Sequence, residues 1–264
     1  MLPPVTRTYP GYIFDLDGTV WLTDRLVPGA DRAVAALRGR GSRIVFLTNN
    51  SVGTRATFAR RLTDLGVPAG PEEINSSSFV MARYLAGQAP GCRCYVIGHD
   101  PLREELCAAG LHLCDRPGEI DYVVLGVDRD FSYHKLQTAF LALRAGAAFV
   151  ATNADPYCPG PEGDLADIGA MIAAIEVASG HRVDLVVGKP NPYILGWALK
   201  ALDLPAEDCL LVGDQLGTDV LAGRQAGIAV ALLLRDPLVV AQLAGWPTPP
   251  DFGLAGLPDL VVGD

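Results

Sequence analysis

The chain has 264 residues, of which 50% are hydrophobic and 19% are charged, and its formal net charge at pH 7 is −9. This composition is that of a globular protein and excludes an intrinsically disordered chain. The negative charge argues against nucleic acid or an anionic membrane surface as a partner, because both need a basic footprint. No apolar run approaches the roughly 20 residues of a membrane-spanning helix. The first ten residues show no export signal, so we expect a cytoplasmic protein with its six cysteines reduced.

The first predicted strand, residues 11–15, ends in two acids within the string Asp15-Leu16-Asp17-Gly18-Thr19. An open α/β sheet carries its functional groups in the crevice beyond the carboxyl ends of its strands. Residues two apart in an extended chain share a face, so we expect Asp15 and Asp17 side by side, where their charges repel unless a cation is bound. Magnesium is the simplest such cation, because carboxylates, water and phosphate oxygens are its usual ligands. The alternative interpretation is an ordinary Asx-Gly turn.

Helices and strands then alternate. A helical period of apolar residues follows Pro28 and ends near Gly39, and the apolar run 43–47 is typical of a strand covered on both faces. That strand stops at Thr48-Asn49-Asn50-Ser51, and helices are predicted over 54–65 and through Met81 to Leu85. The alternation indicates an α/β fold with a parallel sheet.

The same alternation starts again near Cys94. Strands are predicted at 94–97, 122–125 and 148–151, helices at 101–109 and 133–144, and a further helix ends at Ser179-Gly180. This second series predicts an α/β unit inserted into the first. We therefore assign residues 1–78 and 185–264 to a Rossmann-like, parallel-sheet core and residues 79–184 to an inserted α/β domain.

The last third returns to the core. A strand over 184–187 precedes Gly188-Lys189-Pro190-Asn191-Pro192, and a strand over 209–212 ends in Gly213-Asp214, with Asp219 on the turn or helix behind it. Residues 228–233 form the last clear strand, and the tail from Pro247 is expected to lie on the surface, with an edge strand at 260–262 as the alternative.

Polar clusters thus follow several buried strands, at Asp15/Asp17, Thr48/Asn49, Lys189 and Asp214/Asp219. Parallel strands of one sheet share a carboxyl edge, so these side chains are predicted to meet in one crevice.

The predicted crevice has the groups needed for phosphoryl transfer. Its acids can hold a divalent cation, while Lys189, a hydroxyl and turn amides can hold phosphate oxygens. Asp15 is placed to attack phosphorus as a carboxylate nucleophile. Asp17 can protonate the leaving alkoxide and then deprotonate water. Magnesium and Lys189 would offset charge on the transferring group.

Each side chain also has an ordinary interpretation. Lys189 can be read as a solvated turn lysine, because most lysines are exposed to solvent. Thr48-Asn49-Asn50 and Asp219 can be read as helix caps.

The arrangement resembles the haloacid dehalogenase superfamily of aspartate-nucleophile phosphatases. Its first motif is similar to Asp15-Leu16-Asp17-Gly18-Thr19, its second to Thr48 with Asn49, its third to Lys189, and its fourth to Gly213-Asp214 with Asp219. The long interval between Thr48 and Lys189 resembles the branch, subfamily IIA, that inserts a large α/β cap between motifs two and three. That branch includes 4-nitrophenylphosphatase-like, pyridoxal-phosphate, phosphoglycolate and nucleotide phosphatases.

The resemblance implies a Mg²⁺-dependent phosphatase of small phosphomonoesters that forms an aspartyl-phosphate on Asp15. It implies magnesium bound by Asp15, by the Asp17 carbonyl and by Asp214, with Asp219 behind them. Implied phosphate contacts come from the turn, the second motif and the lysine loop: Gly18, Thr48, Asn49, Asn50, Lys189 and Asn191. Substrate readers are expected in the cap at 128–130, 153–155 and 157–167, and a homodimer through the cap is a further expectation.

Two other functions stay open at this point. A phosphoryl transferase or mutase would use the same intermediate, and a phospho-accepting or ligand-sensing protein would retain phosphate on Asp15. The physiological substrate is not specified by the sequence.

Overall fold

A computed structural model describes residues 2–160 and 163–261. The strands are β1 (Gly11–Asp15), β2 (Trp21–Leu22), β3 (Arg25–Leu26), β4 (Arg43–Thr48), β5 (Ile74–Ser76), β6 (Arg93–Ile97), β7 (His112–Leu113), β8 (Tyr122–Leu125), β9 (Ala148–Ala151), β10 (Tyr157–Gly160), β11 (Gly163–Ala166), β12 (Leu185–Val186), β13 (Cys209–Gly213), β14 (Ala229–Leu233) and β15 (Phe252–Leu254). The α-helices are α1 (Ala30–Gly39), α2 (Arg55–Asp64), α3 (Ser77–Gln88), α4 (Asp100–Ala108), α5 (Tyr133–Arg144), α6 (Ile168–Ser179), α7 (Tyr193–Leu202), α8 (Leu221–Ala226) and α9 (Pro237–Leu243). None of the helices in the described residues is long and apolar enough to cross a bilayer.

The first compact unit comprises residues 2–48, 55–75 and 189–261. Its six-stranded sheet has the order β15-β14-β13-β1-β4-β5. The central strand β1 pairs in parallel with β13 on one side and with β4 on the other, so that Ile13 lies level with Leu211 and Val45. The carboxyl ends of β1, β4 and β13 therefore lie at one edge, and the α/β, parallel-sheet class predicted from the sequence is confirmed.

The core of this unit forms around β1, whose five residues are all buried. The rings of Tyr12 and Phe14 stack with centroids 6.0 Å apart, and Phe46 on β4 lies 6.2 Å from Phe14. Burial on both faces explains why the strand reads as a continuous apolar run rather than an alternating one. The strand that ends in acids is thereby held rigidly at its base.

The second compact unit comprises residues 49–54, 76–160 and 163–188. Its five-stranded parallel sheet has the order β12-β9-β8-β6-β7. The sequence analysis placed the strand before Lys189 in the same sheet as β1, and this is wrong, because β12 pairs in parallel with β9. An apolar run shows that a strand is buried but does not show which sheet buries it.

Two further expectations are wrong for a related reason. The tail adds its edge strand, β15, at 252–254, where it pairs in parallel with β14, and not at 260–261; residue 262 lies outside the described residues. The expected loop at 157–167 contains the antiparallel pair β10 and β11, and its residues 161–162 lie outside the described residues. Proline and glycine in these short segments mask the strand signal.

Candidate active site

The proposed nucleophile is held by an ion pair inside the first unit. Asp15 is the last residue of β1, and its side chain is only 7% exposed. Lys189 Nζ donates hydrogen bonds to Asp15 Oδ1 and, at 2.6 Å, to Asp219 Oδ1. Burial lowers the pKa of Lys189, but the two carboxylates outweigh it and raise this pKa above its ordinary value. The lysine is therefore a fixed positive charge beside Asp15, and its interpretation as a solvated turn lysine is wrong.

Three carboxylates converge next to this lysine. Asp214 directly follows β13, and Asp219 lies in the short helical segment Leu216–Val220 behind it. One oxygen each of Asp15, Asp214 and Asp219 lie within 4.8 Å of one another. Burial, reinforced by Asp219, raises the pKa of Asp214 to about 6. Burial also raises the pKa of Asp15 well above its usual range, and the charges of Asp219 and Asp214 add to the rise while Lys189 opposes it.

The cluster fits a hard divalent cation. Three carboxylates face one ammonium group, so the site has an excess of negative charge when the acids are ionised. The raised pKa values show that this charge is unfavourable where no cation compensates it. An all-oxygen donor set is the one that Mg²⁺ prefers.

Asp219 connects Lys189 to the loop after β13 by hydrogen bonds. It is fully buried, and its Oδ2 accepts hydrogen bonds from the backbone amides of Asp214, at 3.2 Å, and Gln215, at 3.0 Å. Its Oδ1 accepts a hydrogen bond from Lys189, so both carboxylate oxygens of Asp219 have hydrogen-bond partners. A Cβ at Gly213 would overlap the Asp219 carboxyl group, so the glycine before Asp214 makes room for Asp219.

Asp17 lies in a different environment from Asp15. Its side chain is exposed, Oδ1 accepts from Trp21 Nε1 at 2.9 Å, and Oδ2 accepts from Thr48 Oγ1 at 3.0 Å. The strand ends at Asp15 and the chain turns at Gly18 with φ of 93°, so the alternation that predicted a side-by-side pair does not continue. The acids that surround Asp15 are Asp214 and Asp219 instead.

The remaining predicted phosphate contacts fall in both units. Thr48 is buried at the end of β4, and the Oδ1 of Asn191 accepts from the amide of Tyr193 at the start of α7. Asn49 and Asn50 belong to the second unit, where Asn49 Nδ2 donates to Asp155 Oδ2 at 3.1 Å and Asn50 Oδ1 accepts from the amide of Val52. Their contacts with phosphate stay predictions.

Sequence reasoning missed three partners of the acids. Thr19 Oγ1 and Gln215 Nε2 each donate to Asp214, at 3.3 Å, and Trp21 donates to Asp17. Thr19 lies inside the first motif, so its position in the sequence was a signal that it could contact an acid of the site. Trp21 has the pattern of an ordinary core aromatic, so its polar contact had no signal in the sequence.

Comparisons with known proteins show the family to which this chain belongs. Residues 12–112 match the family model described as haloacid dehalogenase-like hydrolase, and residues 186–260 match the HAD-hydrolase-like model. The chain is 35% identical to the sugar-phosphatase AraL of Bacillus subtilis over 85% of this chain and 82% of that protein. The solved p-nitrophenyl phosphatase from Archaeoglobus fulgidus is 32% identical with a TM-score of 0.91, covering 97% of this chain and 99% of that one. A glycerol phosphate phosphatase from Mycobacterium tuberculosis in complex with magnesium has a TM-score of 0.89 at 32% identity, covering 98% of this chain and 78% of that one.

Proposed function

Since this chain belongs to the haloacid dehalogenase-like hydrolases and is a phosphoric monoester hydrolase, we propose that it hydrolyses small phosphomonoesters with Mg²⁺ through an aspartyl-phosphate on Asp15. The observation that carries the proposal is the buried Asp15 carboxylate held by Lys189 against a cluster of two further acids. The ion pair orients the carboxylate and keeps a positive charge beside it, which supports a role for Asp15 as the nucleophile toward phosphorus.

In the first step an oxygen of Asp15 bonds to phosphorus as the bond to the leaving alkoxide breaks. Asp17, which lies beyond the end of β1, gives its proton to the alkoxide oxygen, so the alcohol leaves neutral. Lys189 keeps its charge beside the reacting carboxylate and stabilises the negative charge of the transferring group.

In the second step water bonds to phosphorus and the bond to the Asp15 oxygen breaks. Asp17, now a carboxylate, takes the proton that the water loses, and inorganic phosphate and free Asp15 result. Each turnover thus consumes one ester and one water and returns Asp17 to its protonated state. In this proposal the Thr48 hydroxyl, which donates to Asp17 Oδ2 in the structure, turns its proton to a phosphate oxygen when the substrate binds.

Asp15, Asp214 and the backbone carbonyl of Asp17 would hold Mg²⁺, whose charge would offset that of the carboxylates and of the phosphoryl oxygens. Asp219 acts through its neighbours in this proposal, because both of its oxygens already bind Lys189 and the loop after β13.

We propose phosphate esters of sugars or small polyols as the substrate class. The relatives named sugar-phosphatase and glycerol phosphate phosphatase support this class. An alkoxide is a poor leaving group that needs a proton, and Asp17 supplies one in the proposed mechanism.

The test is phosphate release from 4-nitrophenyl phosphate and from a panel of sugar and glycerol phosphates, with Mg²⁺ or with chelator. We expect turnover only with the metal, and none for Asp15→Asn; Asp64→Asn, which removes the same charge from an exposed acid, is the matched control. Acid quenching should retain labelled phosphate on the wild type in a form that hydroxylamine releases. Metal-independent turnover, or full activity of Asp15→Asn, would contradict the proposal.

The cytoplasmic location and the homodimer through the cap stay predictions. Sedimentation at two protein concentrations would test the second.

A further inference from the structure

Arg235 brings a further positive charge to the sheet edge at which the carboxylates lie. It follows β14 by two residues, and β14 pairs in parallel with β13, the strand that leads into Asp214. The carboxyl ends of these two strands therefore lie at the same edge of the first unit. Arg235 Nη1 donates a hydrogen bond to the carbonyl of Gly18, in the turn after β1, at 3.3 Å. Since β13 lies between β14 and β1 in the sheet, the side chain reaches past one strand to the turn of the first motif.

The turn that Arg235 contacts is part of the candidate site. A Cβ at Gly18 would lie 2.2 Å from Asp214 Oδ2, so the backbone of Gly18 adjoins one of the proposed magnesium ligands. The guanidinium of Arg235 and the carboxylate of Asp214 thus both border on one residue. Given standard backbone dimensions, no more than about 10 Å separates Arg235 Nη1 from Asp214 Oδ2. That is the length scale of a small phosphorylated metabolite.

The guanidinium of Arg235 has hydrogen-bonding capacity that the protein does not use. It is exposed, it carries five N–H donors, and its hydrogen bond to Gly18 occupies one of them. Among residues 2–160 and 163–261 no carboxylate forms an ion pair with it. The adjacent acid, Asp236, instead accepts from the amide of Leu238 at 2.8 Å, at the start of α9.

The chemistry of this group indicates its ligand. A guanidinium matches the planar oxygens of a carboxylate or phosphate, which it binds through two parallel hydrogen bonds. The chain as a whole has a net charge of −9, so an anionic substrate depends on local positive groups near the site. Lys189 is already bound to Asp15 and Asp219, whereas Arg235 is bound only to a neutral carbonyl in the part of the chain that the structure describes.

We propose that Arg235 is a specificity-determining residue that binds a second anionic group of the substrate, away from the phosphoryl group that is transferred. The inference rests on the proposed function and narrows its substrate class to phosphate esters of sugars or polyols that carry a second acidic group. A carboxylate and a second phosphate are the two sources of this chemistry. An ester without such a group leaves the guanidinium unused and is therefore a poorer substrate.

The experiment compares kcat/KM, with Mg²⁺, within pairs of esters that differ in one group. Phosphoglycerate against glycerol phosphate tests a carboxylate, and fructose bisphosphate against fructose monophosphate tests a second phosphate. We expect the wild type to prefer the more acidic member of one pair at least. Arg235→Gln should lower kcat/KM for that member by about 10-fold or more, because a hydrogen bond to a charged group is lost, and should leave the other member within about 3-fold of wild type.

Two further variants separate charge from shape and from general effects. Arg235→Lys keeps the charge without the planar fork, so it should recover part of the preference. Arg60→Gln removes the same charge from an exposed arginine on α2 and is the matched control, which should retain the wild-type preference. Turnover of 4-nitrophenyl phosphate, which has no second acidic group, should stay near the wild-type value in all three variants and shows that each one is folded.

The outcomes distinguish this inference from the proposed function. Equal losses for both members of each pair in Arg235→Gln would overturn the inference, since the arginine would then only hold the turn at Gly18. A wild type that prefers neither acidic ester would overturn it as well, even if 4-nitrophenyl phosphate is hydrolysed. If the wild type hydrolyses none of these esters, the proposed function itself fails.

Discussion

Replacing Asp214 by Asn should stabilise the metal-free protein while it abolishes activity. Asp214 adds a negative charge to a cluster in which its oxygen, and those of Asp15 and Asp219, lie within 4.8 Å. Asparagine keeps the size and shape and can still accept the hydrogen bond from Thr19. The variant thus removes charge with little change in packing, and it removes a proposed magnesium ligand.

The size of the gain follows from the pKa of Asp214, which burial and Asp219 raise from 3.8 to about 6. A shift of about two pKa units corresponds to about 3 kcal/mol of stability. Asp214 is partly exposed and the amide loses the contact with Gln215, so we expect a gain of about 1–2 kcal/mol. An acid whose pKa rises on folding destabilises the native state when it is ionised. The gain should therefore be fully present above about pH 6, decrease as the pH falls from about 6 to 3.8, and be absent below pH 3.8, the unfolded pKa.

The assay is thermal unfolding at pH 7.5 and at low pH, each with chelator or with Mg²⁺. A chain of this size shifts its melting temperature by about 2–4 °C per kcal/mol. Wild type should also melt higher with Mg²⁺, because a ligand of the native state stabilises it, and Asp214→Asn should lose that increase. The exposed control Asp64→Asn should change stability by no more than about 0.5 kcal/mol. A lower melting temperature of Asp214→Asn in chelator, or an unchanged response to Mg²⁺, would refute the reasoning.

Three more outcomes are expected. Lys189→Met leaves Asp15 and Asp219 buried without their cation. The variant should lose turnover, and urea unfolding should show a loss of about 3–5 kcal/mol in the free energy of unfolding. An unchanged free energy of unfolding would contradict the ion-pair account. The Mg²⁺ concentration for half-maximal turnover should rise as pH falls below about 6, because protons compete for Asp214; a flat profile from pH 5 to 8 would contradict this. In Gly18→Ala the new Cβ would overlap the Asp214 carboxyl group, at a position with a φ of 93°. Titration with Mg²⁺ should therefore show weaker binding. The control Gly41→Ala also lies at positive φ but in open space, so its Mg²⁺ affinity should be unchanged.

The sequence predicted the strands around the site well, because their signal is local. A continuous apolar run ending in polar residues specifies β1, β4 and β13 without knowledge of their neighbours. Lys189 was also assigned to the site, but for a wrong reason, since the strand before it belongs to the other sheet. What places the lysine is its buried ion pair with Asp15 and Asp219, and no spacing rule encodes a partner 174 residues away.

The contact between Trp21 and Asp17 shows a second limit of prediction from the sequence. The two residues are four apart, which is a familiar spacing in helices, yet here a turn and a short strand join them. Only the positive φ of Gly18 returns the chain so that the indole reaches the carboxylate. An aromatic residue in an apolar context gives no hint that its polar atom is used.

In the proposed mechanism Asp15 and Asp17 take opposite parts, and the surroundings of these two acids differ. Asp15 is buried and bound to an ammonium group that stays charged, so at the moment of attack its negative charge is offset by Lys189. Asp17 is exposed, and its two oxygens accept hydrogen bonds from an indole and a hydroxyl, neither of which is charged. In the proposed mechanism the ion pair with Lys189 accompanies the nucleophile, and the two uncharged donors accompany the general acid. Exchanging either set of neighbours should therefore damage catalysis even if both carboxylates keep their positions.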